Sequence, residues 1–136
     1  KTKSCPAWVM PNSDGAGYYR FALDKKGWDA LVAAAPGERL FVANSSEDLT
    51  YSATMNPDGT LGNLQVFADR GGESVTVDRN GNGYVANGQI FVYDKTGKAT
   101  GRIDVPERPI CLAIGGADGK TLYITSQHSL YSTTLR

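Results

Sequence analysis

The chain has 136 residues, one domain's length, with 14 Lys plus Arg against 14 Asp plus Glu, one His and no net charge. That balance excludes the basic excess that a nucleic-acid footprint or an anionic membrane surface needs. The longest apolar run, 30–35, is far too short to cross a bilayer.

No signal-peptide or transit pattern is read at the N-terminus. The chain opens at Lys1 rather than Met, which reads as a processed chain or a fragment. Secreted, periplasmic and cytoplasmic locations all stay open. Cys5, before Pro6, is either free or bridged to a segment beyond this sequence. Trp8 and Trp28 read as packing residues, with a substrate wall as the alternative.

Helical spacing is nearly absent. Apolar residues alternate or form short blocks between Gly, Asn, Asp and Pro, which is the pattern of an all-β chain. GYYRFALD at 17–24 reads as the third strand of a preceding sheet. Strands follow at 30–35, 39–44, 48–54 and 64–69, then at 74–78, 82–87, 89–94 and 100–105, and last at 111–116, 121–126 and 129–134. Turn sequences separate them: NPDG at 56–59, DRNGNG at 78–83, DKTG at 94–97 and GGADGK at 115–120.

The chain repeats itself. RLFVAN (39–44), NGYVAN (82–87) and TLYITS (121–126) superimpose at spacings of 43 and 39 residues, each flanked by strands on both sides. Four strands in a repeat of roughly 40 residues is the signature of a β-propeller blade. The expected organisation is one partial propeller domain over 1–136. Within it, 1–28 forms the end of a preceding blade and a connection, 29–69 and 73–105 are blades, and 109–136 is an incomplete last blade.

About three blades cannot close a ring of roughly 4–8. Either the sequence is half of a larger or cleaved protein, or a second chain, the other half or an identical copy, completes the propeller as an oligomer.

Few residues outside this scaffold point to chemistry. Asp78 and Asp118 lie in DRNGNG and GGADGK and read as turn residues, and Cys111 in ICLAI reads as a small core residue. His128, the sole histidine, lies between the last two strands and is a candidate substrate-binding residue, against the plainer reading of an exposed loop histidine. No serine sits in a nucleophile elbow, and no Cys/His spacing suits zinc. GNGYVANG opens no helix and so does not read as a phosphate loop.

The segments NPDGTLGNLQVFAD, GGESVTVDRNGNGYVANGQIFVYDKTGK and VPERPICLAIGGADGKTLYITSQHSLYSTTL resemble the C-terminal half of the SMP-30/gluconolactonase/LRE-like family. The resemblance implies half of a six-bladed propeller with a divalent cation at the top of its central channel. It also implies hydrolysis of lactones or related small esters, with no nucleic-acid or membrane partner.

Carried over by position, GWDALVAAAPGERLFVAN puts Asp29 where the family has an Asn ligand, and GGESVTVD puts Glu73 where it has an Asp ligand. Glu73 is then both metal ligand and the expected catalytic base. The usual Pro and Gly neighbours are absent at both turns, and the family's first-blade Glu ligand has no counterpart here. Oxygen donors at both positions suit Ca²⁺, with Zn²⁺ and Mn²⁺ as alternatives. The replaced ligands also leave open a binding or assembly module that has lost its metal. Other chemistry, as in the related strictosidine-synthase-like propellers, is a third reading.

Overall fold

The computed structural model describes residues 39–56, 58 and 60–135. The strands expected at 17–24 and 30–35, together with Asp29, Cys5, Trp8 and Trp28, lie outside the described residues. Among those described there is no helix and there are ten strands. These are β1 (Arg39–Asn44), β2 (Leu49–Met55), β3 (Leu61–Ala68), β4 (Ser74–Val77), β5 (Gly83–Asn87), β6 (Gln89–Tyr93), β7 (Ala99–Ile103), β8 (Pro109–Gly115), β9 (Thr121–Ser126) and β10 (Leu130–Thr134). No helix of the described residues is long and apolar enough to cross a membrane.

The strands form three antiparallel meanders, ordered β1-β2-β3, β4-β5-β6-β7 and β8-β9-β10. Three of the hairpin turns are closed by an aspartate on the backbone beside it. Asp78 Oδ1 accepts from the backbone N–H groups of Asn80 and Asn82, each at 2.9 Å, and so closes the β4–β5 turn. Asp94 does the same for β6–β7 through Thr96 and Lys98, and Asp118 Oδ1 accepts from Lys120 N–H at 3.0 Å. Asp78 and Asp118 are turn residues, as their sequence context indicates.

Strand limits differ from expectation where the backbone leaves the β region. Asp48 has φ 54°, so β2 begins at Leu49; Gly116 has φ 85°, so β8 ends at Gly115. β7 stops at Ile103, but Val105 is still held in register by a side chain. Gln89 Oε1 accepts from Val105 N–H at 2.6 Å while Gln89 Nε2 donates to Val105 C=O at 3.2 Å, replacing two ladder bonds.

The middle sheet is buried on both faces. Tyr84, Ala86 and Ile90 pack with Val105, Leu112, Leu122, Ile124 and Leu135 of the last sheet. The alternate residues Val85 and Tyr93 pack with Phe67 and Ala68 of the first, and Phe41 joins this second cluster. Period-two alternation into two separate cores explains why β5 and β6 read as continuous apolar blocks. Phe67 meets Phe41 edge-on at 4.9 Å.

Cys111 departs from expectation. It pairs with Thr125 on β9 and is exposed, on the side of its strand opposite the buried Leu112. An apolar strand of this sheet has one face against the middle sheet and another without a neighbour among the described residues. Alternation places Cys111 on the second.

Candidate functional site

Alternation of strand direction fixes where the site lies. Within each sheet the strands run antiparallel, so the turns β1–β2, β5–β6 and β9–β10 fall at one end. The links β3–β4 and β7–β8 reach that same end. Glu73 immediately precedes β4 and Arg108 immediately precedes β8, so the two occupy equivalent positions in neighbouring sheets. Strands β4 and β8 lie side by side, and Leu112 N–H donates to Ser74 Oγ at 3.1 Å between them.

The Gly71–Gly72 pair explains how Glu73 comes to stand there. A Cβ on Gly72 would overlap the carbonyl oxygen of Ala86, and one on Gly71 would overlap those of Asn44 and Leu49. Only glycine lets the link pass this close to both sheets. Glu73 N–H then donates to Ala86 C=O at 3.0 Å, which starts the β4–β5 ladder one residue early.

A polar cluster locks the same link from the side. Asp48 Oδ1 accepts from Gly71 N–H at 3.2 Å and from Asn87 Nδ2 at 2.5 Å, while Asn87 Nδ2 also donates to Gly71 C=O. Thr50 Oγ1 donates to Arg70 C=O at 2.7 Å, and Arg70 lies 4.1 Å over the Phe91 ring.

The Glu73 carboxylate is met by the guanidinium of Arg108, Nη2 to Oε1. Glu73 is the more sunken partner, its side chain 27% exposed against 63% for Arg108. Next along the chain, Glu107 turns the other way. Its Oε1 accepts from Ser129 Oγ at 2.7 Å and its Oε2 from His128 N–H at 3.2 Å. The Ser129 hydroxyl, with smaller help from the His128 amide and Tyr131, holds the Glu107 carboxyl below the ordinary glutamate range.

His128 thus lies in the β9–β10 turn on the same end as Glu73, exposed, with its backbone tied to Glu107. Sequence reasoning singled out Glu73 and His128 but passed over Arg108 and Glu107. The signal was present in PERP, whose Arg108 precedes its strand as Glu73 precedes β4 in GGES.

Residues 29–128 match the family model of the SMP-30/gluconolactonase/LRE-like region. The chain belongs to this family. Among solved structures, it is similar to a gluconolactonase of Xanthomonas campestris, with TM-score 0.63 and 22% identity over 73% of this chain and 34% of that one. Regucalcin of Agrobacterium tumefaciens, described as a calcium-binding protein, aligns with TM-score 0.57 and 20% identity over 68% of this chain and 36% of that one. The chain therefore spans about a third of the length of these structures. No curated protein sequence gives a significant match. At these identities the structural likeness establishes the propeller fold.

Whether the family's cation fits can be judged from the donor set. Among the described residues no three of His, Cys, Asp and Glu come together to hold a metal ion. The one carboxylate at the expected position, Glu73, already carries a guanidinium. A hard cation such as Ca²⁺ takes about 6–8 oxygens. The described residues do not fit it.

Proposed function

We propose that this chain supplies the catalytic carboxylate of a hydrolase acting on lactones or related small esters, working as part of a completed propeller. The observation that carries the reading is Glu73 itself. The Gly71–Gly72 pair sets an acid directly before a first strand, where Arg108 Nη2 meets its Oε1 and fixes the side chain in place. Membership of a lactonase-bearing family supplies the substrate class.

In this reading Glu73 takes a proton from water as the water oxygen bonds to the lactone carbonyl carbon. The carbonyl electrons move onto oxygen and return as the ring C–O bond breaks. The proton ends on the departing alkoxide, giving a hydroxy acid. His128, at the same end of the sheets, is assigned to substrate contact. These steps use no calcium, which the regucalcin neighbour is described as binding and for which Asp29 and Glu73 are the expected donors. It would have to compete with Arg108 for Glu73.

Completion of the ring by a second chain, the other half or an identical copy, belongs to the same reading. Ile110 (41%), Tyr123 (41%) and Leu130 (69%) of the last sheet are exposed, a load of apolar surface that a further blade would cover.

The test is a lactone and ester panel read by acid release, with the native mass determined on the same material. Activity in a species of roughly twice the 14.5 kDa chain mass is expected, and Glu73→Gln should lower kcat about 10²–10⁴-fold. A cooperative 14.5 kDa monomer would overturn the completed ring, and unchanged kcat in E73Q would overturn the catalytic role.

A second reading is favoured by the Glu73–Arg108 pair. A carboxylate committed to an arginine also suits a binding or assembly module that has given up the metal. Assembly without turnover of any lactone or non-ester substrate would support that reading.

A further inference from the structure

We propose that Arg108 is a resident counter-cation, occupying on Glu73 the place a divalent cation would take, so that this site excludes calcium for as long as Arg108 is present. The inference rests on the assignment of Glu73 as the position of a cation ligand, made above.

Three observations carry it. Glu73 and Arg108 precede the first strands of neighbouring sheets, and the Ser74–Leu112 hydrogen bond holds those strands together. The pair therefore sits at the junction of two sheets, unlike an ion pair along one strand. Next, the guanidinium already sits on Oε1 of the acid, and the acid is the less exposed partner of the two. Finally, the neighbouring acid does not share the arginine's charge in this geometry. Glu107 is committed to Ser129 and to the His128 amide.

A guanidinium stays protonated across the accessible pH range and is more weakly hydrated than an ammonium, so it holds a carboxylate at low desolvation cost. A divalent ion must break that pair, and it then faces a neighbouring positive charge unless the side chain swings away. With Arg108 neutralised, the Glu73 carboxylate would be left at the junction of the two sheets without its counter-charge. A carboxylate without a partner is an oxygen donor open to Ca²⁺.

The experiment uses the full chain, stripped with chelator and then heated with and without millimolar CaCl2. The wild-type protein and Arg108→Lys are expected to melt at the same temperature in both conditions. Arg108→Met is expected to gain a calcium-dependent rise of a few degrees, which Glu73→Gln in the same chain abolishes. A wild-type shift equal to that of R108M, or no shift in R108M, overturns the inference.

Should R108M fail to fold, the wild-type chain alone decides the matter through the Arg108 Nε–Hε resonance during a CaCl2 titration. An unmoved resonance supports the inference, and a saturable shift overturns it. Neither readout uses hydrolysis. Absence of lactonase activity would therefore sink the functional reading and leave the cation result standing, while a wild-type calcium shift would do the reverse.

Discussion

Leu112 donates its backbone N–H to the Ser74 hydroxyl across 3.1 Å, so a side chain, and no ladder, joins the first strands of two neighbouring sheets. Ser74→Ala removes that acceptor and leaves a part-buried amide without a partner. The expected loss is about 1–3 kcal/mol of unfolding free energy, the cost of orphaning such a group. Urea unfolding of the variant should show a lower midpoint at unchanged slope. Ser74→Thr, which keeps the hydroxyl on a residue suited to a strand, should recover most of the loss. An unchanged midpoint in S74A would mean that water serves Leu112 equally well.

Gly72 and Gly88 should respond differently to the same substitution. A Cβ on Gly72 overlaps the Ala86 carbonyl, a backbone atom that cannot yield without breaking the Glu73–Ala86 hydrogen bond. Gly88 has φ 69° and nothing within 4 Å of an added Cβ, so alanine there meets conformational strain alone. Gly88→Ala is expected to cost about 1–2 kcal/mol, the penalty for an L-residue in the left-handed region. Gly72→Ala should cost more, above about 3 kcal/mol, and displace Glu73 as well. Thermal melts of the two variants side by side check the ranking.

Tyr84 predicts how the fold fails in alkali. Burial between sheets, reinforced by the negative charge and hydrogen bond of Asp78, pushes its phenol from 10.0 up to about 12. The folded state thus holds this proton more tightly than the unfolded chain. Its contribution to stability is complete below pH 10 and drains away as pH rises from 10 towards about 12. The melting temperature should fall through that window. Tyr84→Phe should flatten the fall, at some cost from the lost Asp78 contact. An equally steep decline in Y84F would assign the effect elsewhere, first to Tyr93, whose phenol burial also raises.

Much of this architecture was legible in the sequence because strands and turns are local. NGYVAN and QIFVYD carry period-two alternation, and DRNGNG and DKTG carry the Asp that closes each turn on its own backbone. The family followed from the order of those segments. What stayed hidden depends on contacts between sheets. Cys111 sits in an apolar run, but which face it takes depends on the register of β8 against β9 and on the sheet beyond. The partner of Glu73 lies 35 residues away, and only the stacking of two sheets brings it near. Gly71 and Gly72 could be read as a turn, whereas their role is close passage beside three carbonyls.

Glu107 gives the last prediction, set at the acid end of the scale. The Ser129 hydroxyl is the largest cause of its lowered pKa, with the His128 amide and Tyr131 adding to it and burial opposing. Because the folded pKa lies below the ordinary 4.5, this carboxylate contributes stability above that value, and the contribution is lost as pH falls through the folded pKa. The group is solvent-accessible, so the effect should be small in stability and plain in titration. Carbon-13 detected titration of Glu107 should show its carboxyl moving back towards the ordinary value in Ser129→Ala. The same variant loosens the turn that carries His128, since the carboxyl then keeps only the His128 amide and Tyr131. Amide exchange at His128 and Ser129 should quicken as the carboxyl rises. If the titration moves and the exchange does not, the hydroxyl tunes the acid without fixing the turn.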